Sequence, residues 1–248
     1  MILEVMDVSK GFGGVVALSS VSLGVGAGEI LGIIGPNGSG KTTLFNVVTG
    51  MLRADAGRVR LHGEELGGRR PFEICQRGIG RTFQIPRPFA HMSVLDNAMV
   101  GALFGGGQRG ALAERAALTA LAQVGLGDRP ERPAASLTLA ERKRLELARA
   151  LASGPSVLLL DEVLGGLDTA EVQGIVELVL DLRSGGLAVA MIEHVLPALM
   201  QVADRVAVLA GGTLIALGAP GEVVKERSVI ESYLGPRARF TMEGGQGR

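Results

Sequence analysis

The apolar positions of this chain follow two different periods. Over the first third, short apolar runs alternate with Gly-rich turns, and "ILEVMDVS", "VALSSVSLGV", "EILGIIG" and "GRVRLHG" read as strands. After "EILGIIG" the pattern becomes helical over Lys41 to Thr49. A polar, proline-containing stretch, "TFQIPRPFAHM", follows. Helical patterns then dominate from Ser93 to about Ala152, broken at "FGGGQRG" and "GDRPERP". Strands and helices alternate after that: "SVLLLDE", "AEVQGIVELVLDLRS", "LAVAMIE", "LPALMQVA", "RVAVLA", "TLIALG". Continuously apolar strands between helices predict a parallel sheet covered on both faces. The chain therefore reads as one α/β domain over 1–235, with a core in two pieces (1–84 and 153–235). A helical segment at about 85–152 is inserted between them. The tail "FTMEGGQGR" is polar and Gly-rich, and 236–248 is expected to be flexible.

Composition narrows the function classes. Apolar residues make up 47% of 248, enough for a substantial core. Lys and Arg number 25 and Asp and Glu 25, so the chain lacks the basic excess that non-specific nucleic-acid binding requires. Cys75 is the single cysteine, so no internal disulfide forms, which suits a reducing compartment. The opening "MILEVMDVSK" does not read as a signal peptide, and no apolar run approaches the roughly 18 residues of a spanning helix. A soluble chain is expected, with any membrane role acting through a partner.

Two stretches carry chemistry. "GPNGSGKTT" fits the phosphate-loop pattern, between a predicted strand and a predicted helix: Gly35, Pro36, Asn37, Gly38, Ser39, Gly40, Lys41, Thr42 and Thr43. Glycines there let the backbone approach a phosphate closely. The following helix aims its positive end at the ligand. Lys41 suits the β- and γ-phosphates, and the Thr42 hydroxyl can ligate Mg²⁺. On its own this motif indicates a nucleoside triphosphate and nothing finer. The second stretch, "SVLLLDE", is a buried strand that ends in two carboxylates. Asp161 suits Mg²⁺, through water, and Glu162 suits the general base that polarises an attacking water. Ligands of parallel sheets bind at the carboxyl ends of strands, so this strand end can face the phosphate loop.

The order of further motifs resembles the ATP-binding subunit of an ABC transporter, from Ile2 to about Gly235. That resemblance implies an α/β fold: a P-loop NTPase core of RecA type, an N-terminal antiparallel β subdomain and an inserted α-helical subdomain. It implies ATP and Mg²⁺ as ligands. Gln84, in "GIGRTFQIPRPF", matches the family's Q-loop glutamine, which senses Mg²⁺ and the γ-phosphate. "SLTLAERKRLELARAL" matches the signature segment, whose first turn contacts ATP held by a second subunit. Thr138, Leu139, Ala140 and Glu141 stand there where Ser-Gly-Gly-Gln is usual. The helix N-terminus keeps its free N–H groups, but Leu139 and Ala140 restrict close approach. Glu141 adds unfavourable charge unless it turns away or caps the helix. Asp168, in "GGLD", fits the D-loop, and His194, closing "LAVAMIE", fits the switch histidine. Phe12 matches the aromatic that stacks on adenine; a buried core Phe is the rival reading. His62 and His91 read as structural.

The wording of "VSKGFGGVVALSSVSL", "GIGRTFQIPRPFAHMSVLDN" and "VIESYLG" looks most like the branched-chain amino acid importer branch. That implies a peripheral subunit on the cytoplasmic face of the membrane. Its partners would be a second ATP-binding subunit (a copy or a paralogue) and integral membrane permease subunits, with a solute-binding protein engaged indirectly and no nucleic acid. The stretch Pro86 to Met92 is the expected permease contact. Phe89 and Met92 would be anchors there or pack internally. Urea or amide uptake, lipopolysaccharide export and a non-transport ABC ATPase are the alternatives; a small-molecule kinase would need no Gln84, signature segment or His194.

Overall fold

The structure, a computed structural model, describes residues 1–234. The tail expected to be flexible lies outside them. Strands β1 (Leu3–Phe12), β2 (Val15–Val25), β4 (Ala56–Leu61) and β5 (Glu64–Glu65) form an antiparallel sheet in the order β2-β1-β4-β5. Strands β3 (Ile30–Ile34), β6 (Ile79–Arg81), β7 (Val157–Asp161), β8 (Ala188–Ile192), β9 (Arg205–Ala210) and β10 (Thr213–Gly218) form the second sheet, ordered β10-β9-β3-β8-β7-β6. It is parallel except at its β9–β10 edge.

The helices are α1 (Lys41–Val48), α2 (Pro71–Gln76), α3 (Val94–Val100), α4 (Ala111–Gln123), α5 (Leu139–Ala152), α6 (Thr169–Ser184), α7 (Leu196–Val202), α8 (Pro220–Val223) and α9 (Arg227–Leu234). Helices α3 to α5, with a π-helical turn at Gly101–Gly105, fall between β6 and β7. The helix pattern from Ser93 to Ala152 corresponds to these helices, whose buried side chains share a core with Leu158 and Val189 of the sheet. The buried apolar positions of these helices are mostly Ala, with Ala98, Ala102, Ala113 and Ala117 fully enclosed. A Cβ on Gly101 would lie 2.0 Å from the Arg149 carbonyl oxygen, so α5 runs directly against that turn.

Both faces of the larger sheet are buried, as the unbroken apolar strands predict. Along β7 the side chains alternate: Val157 and Leu159 join a core with Leu3, Leu18 and Phe45, while Leu158 and Leu160 join one with Leu145, Leu147 and Leu199. Each such side chain contributes roughly 1.5–3 kcal/mol by leaving water. This double cladding fixes the carboxyl ends of the adjacent strands β3, β8 and β7 in one row. Among the elements not read from the sequence, α2, six residues long, and β6, three residues long, carry too few apolar residues to show a period.

Candidate nucleotide site

The loop between β3 and α1 needs its glycines for shape. Gly35 has φ +153° and Gly40 φ +104°. A Cβ on Gly35 would lie 2.1 Å from the Leu209 carbonyl oxygen, and one on Gly40 would lie 2.4 Å from that of Ala17. No side chain caps the first turn of α1, so its N–H groups remain for a ligand. Lys41 folds back over this loop, donating to the carbonyl oxygens of Gly35 (2.7 Å) and Pro36 (3.1 Å). Burial lowers its ammonium below the usual amine range, opposed by the carboxylates of Glu162 and Asp161.

Two strands over, β7 ends in Asp161, and the chain turns sharply at Glu162, which has φ +52°. A non-glycine residue pays for that conformation with strain and needs fixed surroundings. Glu162 N–H donates to the Ile192 carbonyl (2.9 Å), and Lys143 Nζ donates to the carbonyls of Glu162 (3.2 Å) and Val163 (2.9 Å). The Glu162 carboxylate is held from both sides. Gln84 Nε2 donates to Oε2 at 2.6 Å, and His194 Nε2 lies 2.9 Å from Oε1. The chain thus brings Gln84, Glu162 and His194, 110 positions from first to last, into direct contact.

Thr42, Gln84 and Asp161 line one groove of about 790 Å³ between the sheet and the inserted helices. A hydroxyl, an amide oxygen and one carboxylate are hard oxygen donors. That set suits Mg²⁺, which keeps several waters and takes phosphate oxygens for the rest of its shell. Asp161 itself is 3% exposed; its N–H donates to Thr82 Oγ1, and its Oδ2 accepts from Arg81 Nη2 at 2.9 Å. The apolar wall of the groove includes Phe72, Phe83, Ile85 and Phe104.

The remaining residues are placed as follows. Phe12 ends β1 and is 46% exposed, with the Lys10 ammonium 5.5 Å from its ring centroid, so the buried-core alternative fails. Thr138 is the N-cap of α5 and accepts from Glu141 N–H (3.3 Å), while Glu141 Oε2 accepts from Thr138 N–H (2.8 Å). Glu141 Oε1 pairs with Arg132. The acid in the signature turn therefore caps its own helix. Its carboxyl sits below the usual carboxylate range, first because of the Thr138 amide and then the Arg132 guanidinium. Leu139 is 45% exposed at that turn. Asp168 caps α6, accepting from Glu171 N–H at 2.8 Å. Phe89 is exposed against Arg149, and Met92 is half-buried.

Sequence reading missed four charged side chains here. Arg81 stands three residues before Gln84. Lys143 and Glu146 lie on the buried face of α5, and Glu193 lies beside His194. Burial raises the carboxyls of Glu146 and Glu193 to about 7. The available signal was a Lys and a Glu three apart among Leu and Ala on one helix face.

The family pattern described as ABC transporter matches residues 18–165. The chain belongs to the ABC transporter family. It is 35% identical to the high-affinity branched-chain amino acid transport ATP-binding protein LivG of Salmonella typhimurium, over 94% of this chain and 98% of that one. It is also 35% identical to the probable LivG of Archaeoglobus fulgidus, over 94% and 95%. Among solved structures it resembles the ADP conformation of MJ1267, an ATP-binding cassette of an ABC transporter, with a TM-score of 0.87 and 33% identity. That match covers 94% of this chain and 98% of the other. The double-sheet architecture with a helical insertion is accordingly that of an ABC ATPase cassette. Among the described residues no helix is long and apolar enough to cross a membrane.

Proposed function

We propose that this chain is the ATP-hydrolysing subunit of a branched-chain amino acid importer, working on the cytoplasmic face of the membrane. One observation carries the catalytic part: the Glu162 carboxylate, at the end of a core strand, is gripped by Gln84 and His194 beside a phosphate loop. The similarity to LivG proteins over nearly the whole chain supports the cargo.

The residues divide the work by position. Phe12 offers its exposed ring to adenine. The amides of Gly35 to Thr43 bind the phosphates, and Lys41 exchanges its carbonyl partners for phosphate oxygens. Thr42, Gln84 and Asp161 would hold Mg²⁺, which would supply positive charge against the phosphates. Glu162 accepts a proton from the water that attacks the γ-phosphorus. The bond from γ-phosphorus to the bridging oxygen breaks, releasing ADP and phosphate. His194 and Gln84 hold Glu162 in line for that water.

The first turn of α5, with Thr138, Leu139, Ala140 and Glu141, faces ATP bound by a second ATP-binding subunit, and Asp168 lies at the same interface. The stretch Pro86 to Met92, with Phe89 exposed on it, receives the permease. The solute-binding protein acts through the permease. The test is uptake of labelled leucine, isoleucine and valine by cells carrying Glu162→Gln. Loss of uptake with ATP trapped on the purified complex is expected; normal uptake of all three refutes the cargo.

A further inference from the structure

Arg81 is placed at unusual cost. Its side chain is 6% exposed and that of its partner Asp161 is 4% exposed. Nη1 donates to Asn46 Oδ1 (2.7 Å) and Thr49 Oγ1 (3.2 Å), at the far end of the helix that begins at the phosphate loop. The guanidinium carbon lies 4.9 Å from the Phe83 ring centroid and 5.7 Å from that of Phe45. Nε is buried with no hydrogen-bond partner among the described residues. A desolvated cation with one donor unmet is a poor device for stability. What its position accomplishes is neutralisation of the carboxylate that faces the metal position.

We propose that Arg81 is a positioning residue that holds and neutralises Asp161 while no metal is present, and yields it when metal and nucleotide arrive. This rests on the nucleotide site proposed above. A guanidinium and a hydrated divalent cation compete for the same carboxylate. The metal-free protein thereby avoids a naked buried charge, and metal binding pays for breaking the ion pair. Asn46, Thr49 and the two aromatic rings give the released guanidinium a resting place.

The test compares ADP affinity, by calorimetry, in EDTA and in saturating MgCl₂, for the unmodified chain and for Arg81→Met. Removing the competitor is expected to raise the ratio of the dissociation constant in EDTA to that in MgCl₂ by about tenfold, the scale of one charge-assisted hydrogen bond no longer to be broken. The melting temperature should fall more without Mg²⁺ and ADP than with them. A merely structural Arg81 would lower both melting temperatures equally and leave the ratio unchanged, which overturns the proposal. Should Arg81→Met not fold, the guanidinium nitrogen resonance of Arg81, assigned by its loss in Arg81→Lys, gives the answer on the unmodified chain. It is expected to shift with ADP and MgCl₂ but not with ADP and EDTA; the same spectrum in both overturns the proposal. An unmodified chain that binds no ADP sinks the site itself, and with it this role.

Discussion

Lys143→Met separates the contribution of α5 to folding from its part in holding Glu162. Lys143 is 5% exposed and bonds the carbonyls of Glu162 and Val163 at 3.2 and 2.9 Å. Two bonds from a charged donor are worth about 1.5–3 kcal/mol each. Methionine has similar volume and recovers the desolvation cost of the buried ammonium, which depresses its pKa here. The net loss is expected at about 2–3 kcal/mol, against a total stability of roughly 5–15 kcal/mol, so the variant still folds. Catalysis should suffer more. Glu162 sits at φ +52°, a conformation costing about 1–3 kcal/mol that its neighbours must enforce. Without Lys143 that residue relaxes and its carboxylate leaves Gln84 and His194. A displacement of that kind costs on the order of 10²-fold in kcat. Steady-state ATPase rates of the assembled transporter should show this loss in kcat with KM for ATP unchanged. Urea unfolding should show the modest change in stability. A wild-type kcat, or a loss confined to KM, would refute the role given to Lys143.

Three further outcomes are expected. Glu193→Gln should change the pH dependence of stability. The folded carboxyl is raised to about 7 from an ordinary 4.5, so the folded protein keeps a proton that the unfolded chain gives up, and stability falls as pH rises through that window. The gain from Gln over Glu should therefore be larger at pH 8 than at pH 5 by up to ~3 kcal/mol; equal urea midpoint shifts at both pH values would contradict this. Phe12→Ala should raise the dissociation constant for ADP at least fivefold or so, since stacking a base on an aromatic ring is worth about 1–3 kcal/mol, and an unchanged constant would remove Phe12 from the site. Leu139→Gly with Ala140→Gly should raise the ATPase rate of the complex by about tenfold, roughly one recovered charge-assisted hydrogen bond; a slower enzyme would show that the present turn already suffices.

Much of this architecture was legible because its causes are local. Strands buried on both faces must be apolar throughout, so "EILGIIG", "SVLLLDE" and "LAVAMIE" could be read as a parallel core, and they are β3, β7 and β8. The phosphate loop was legible because backbone geometry demands glycine where a Cβ would strike a carbonyl. What escaped was decided between elements distant in sequence. Arg81 meets Asp161 across 80 positions, and Lys143 reaches from α5 to the backbone of Glu162 in the turn after β7. Nothing local marks Arg81, and the apolar face around Lys143 marks it as buried without naming its partner. Glu141 shows the same limit from the other side. Sequence position alone allows a repelling charge at the turn proposed to face ATP. The structure turns the acid onto the Thr138 amide and the Arg132 guanidinium. The helix mouth is left with its N–H dipoles, and the negative charge is neutralised beside it. In the proposed dimer this turn would therefore present no unpaired anion to ATP, and the remaining obstacle is steric, at the exposed Leu139 side chain.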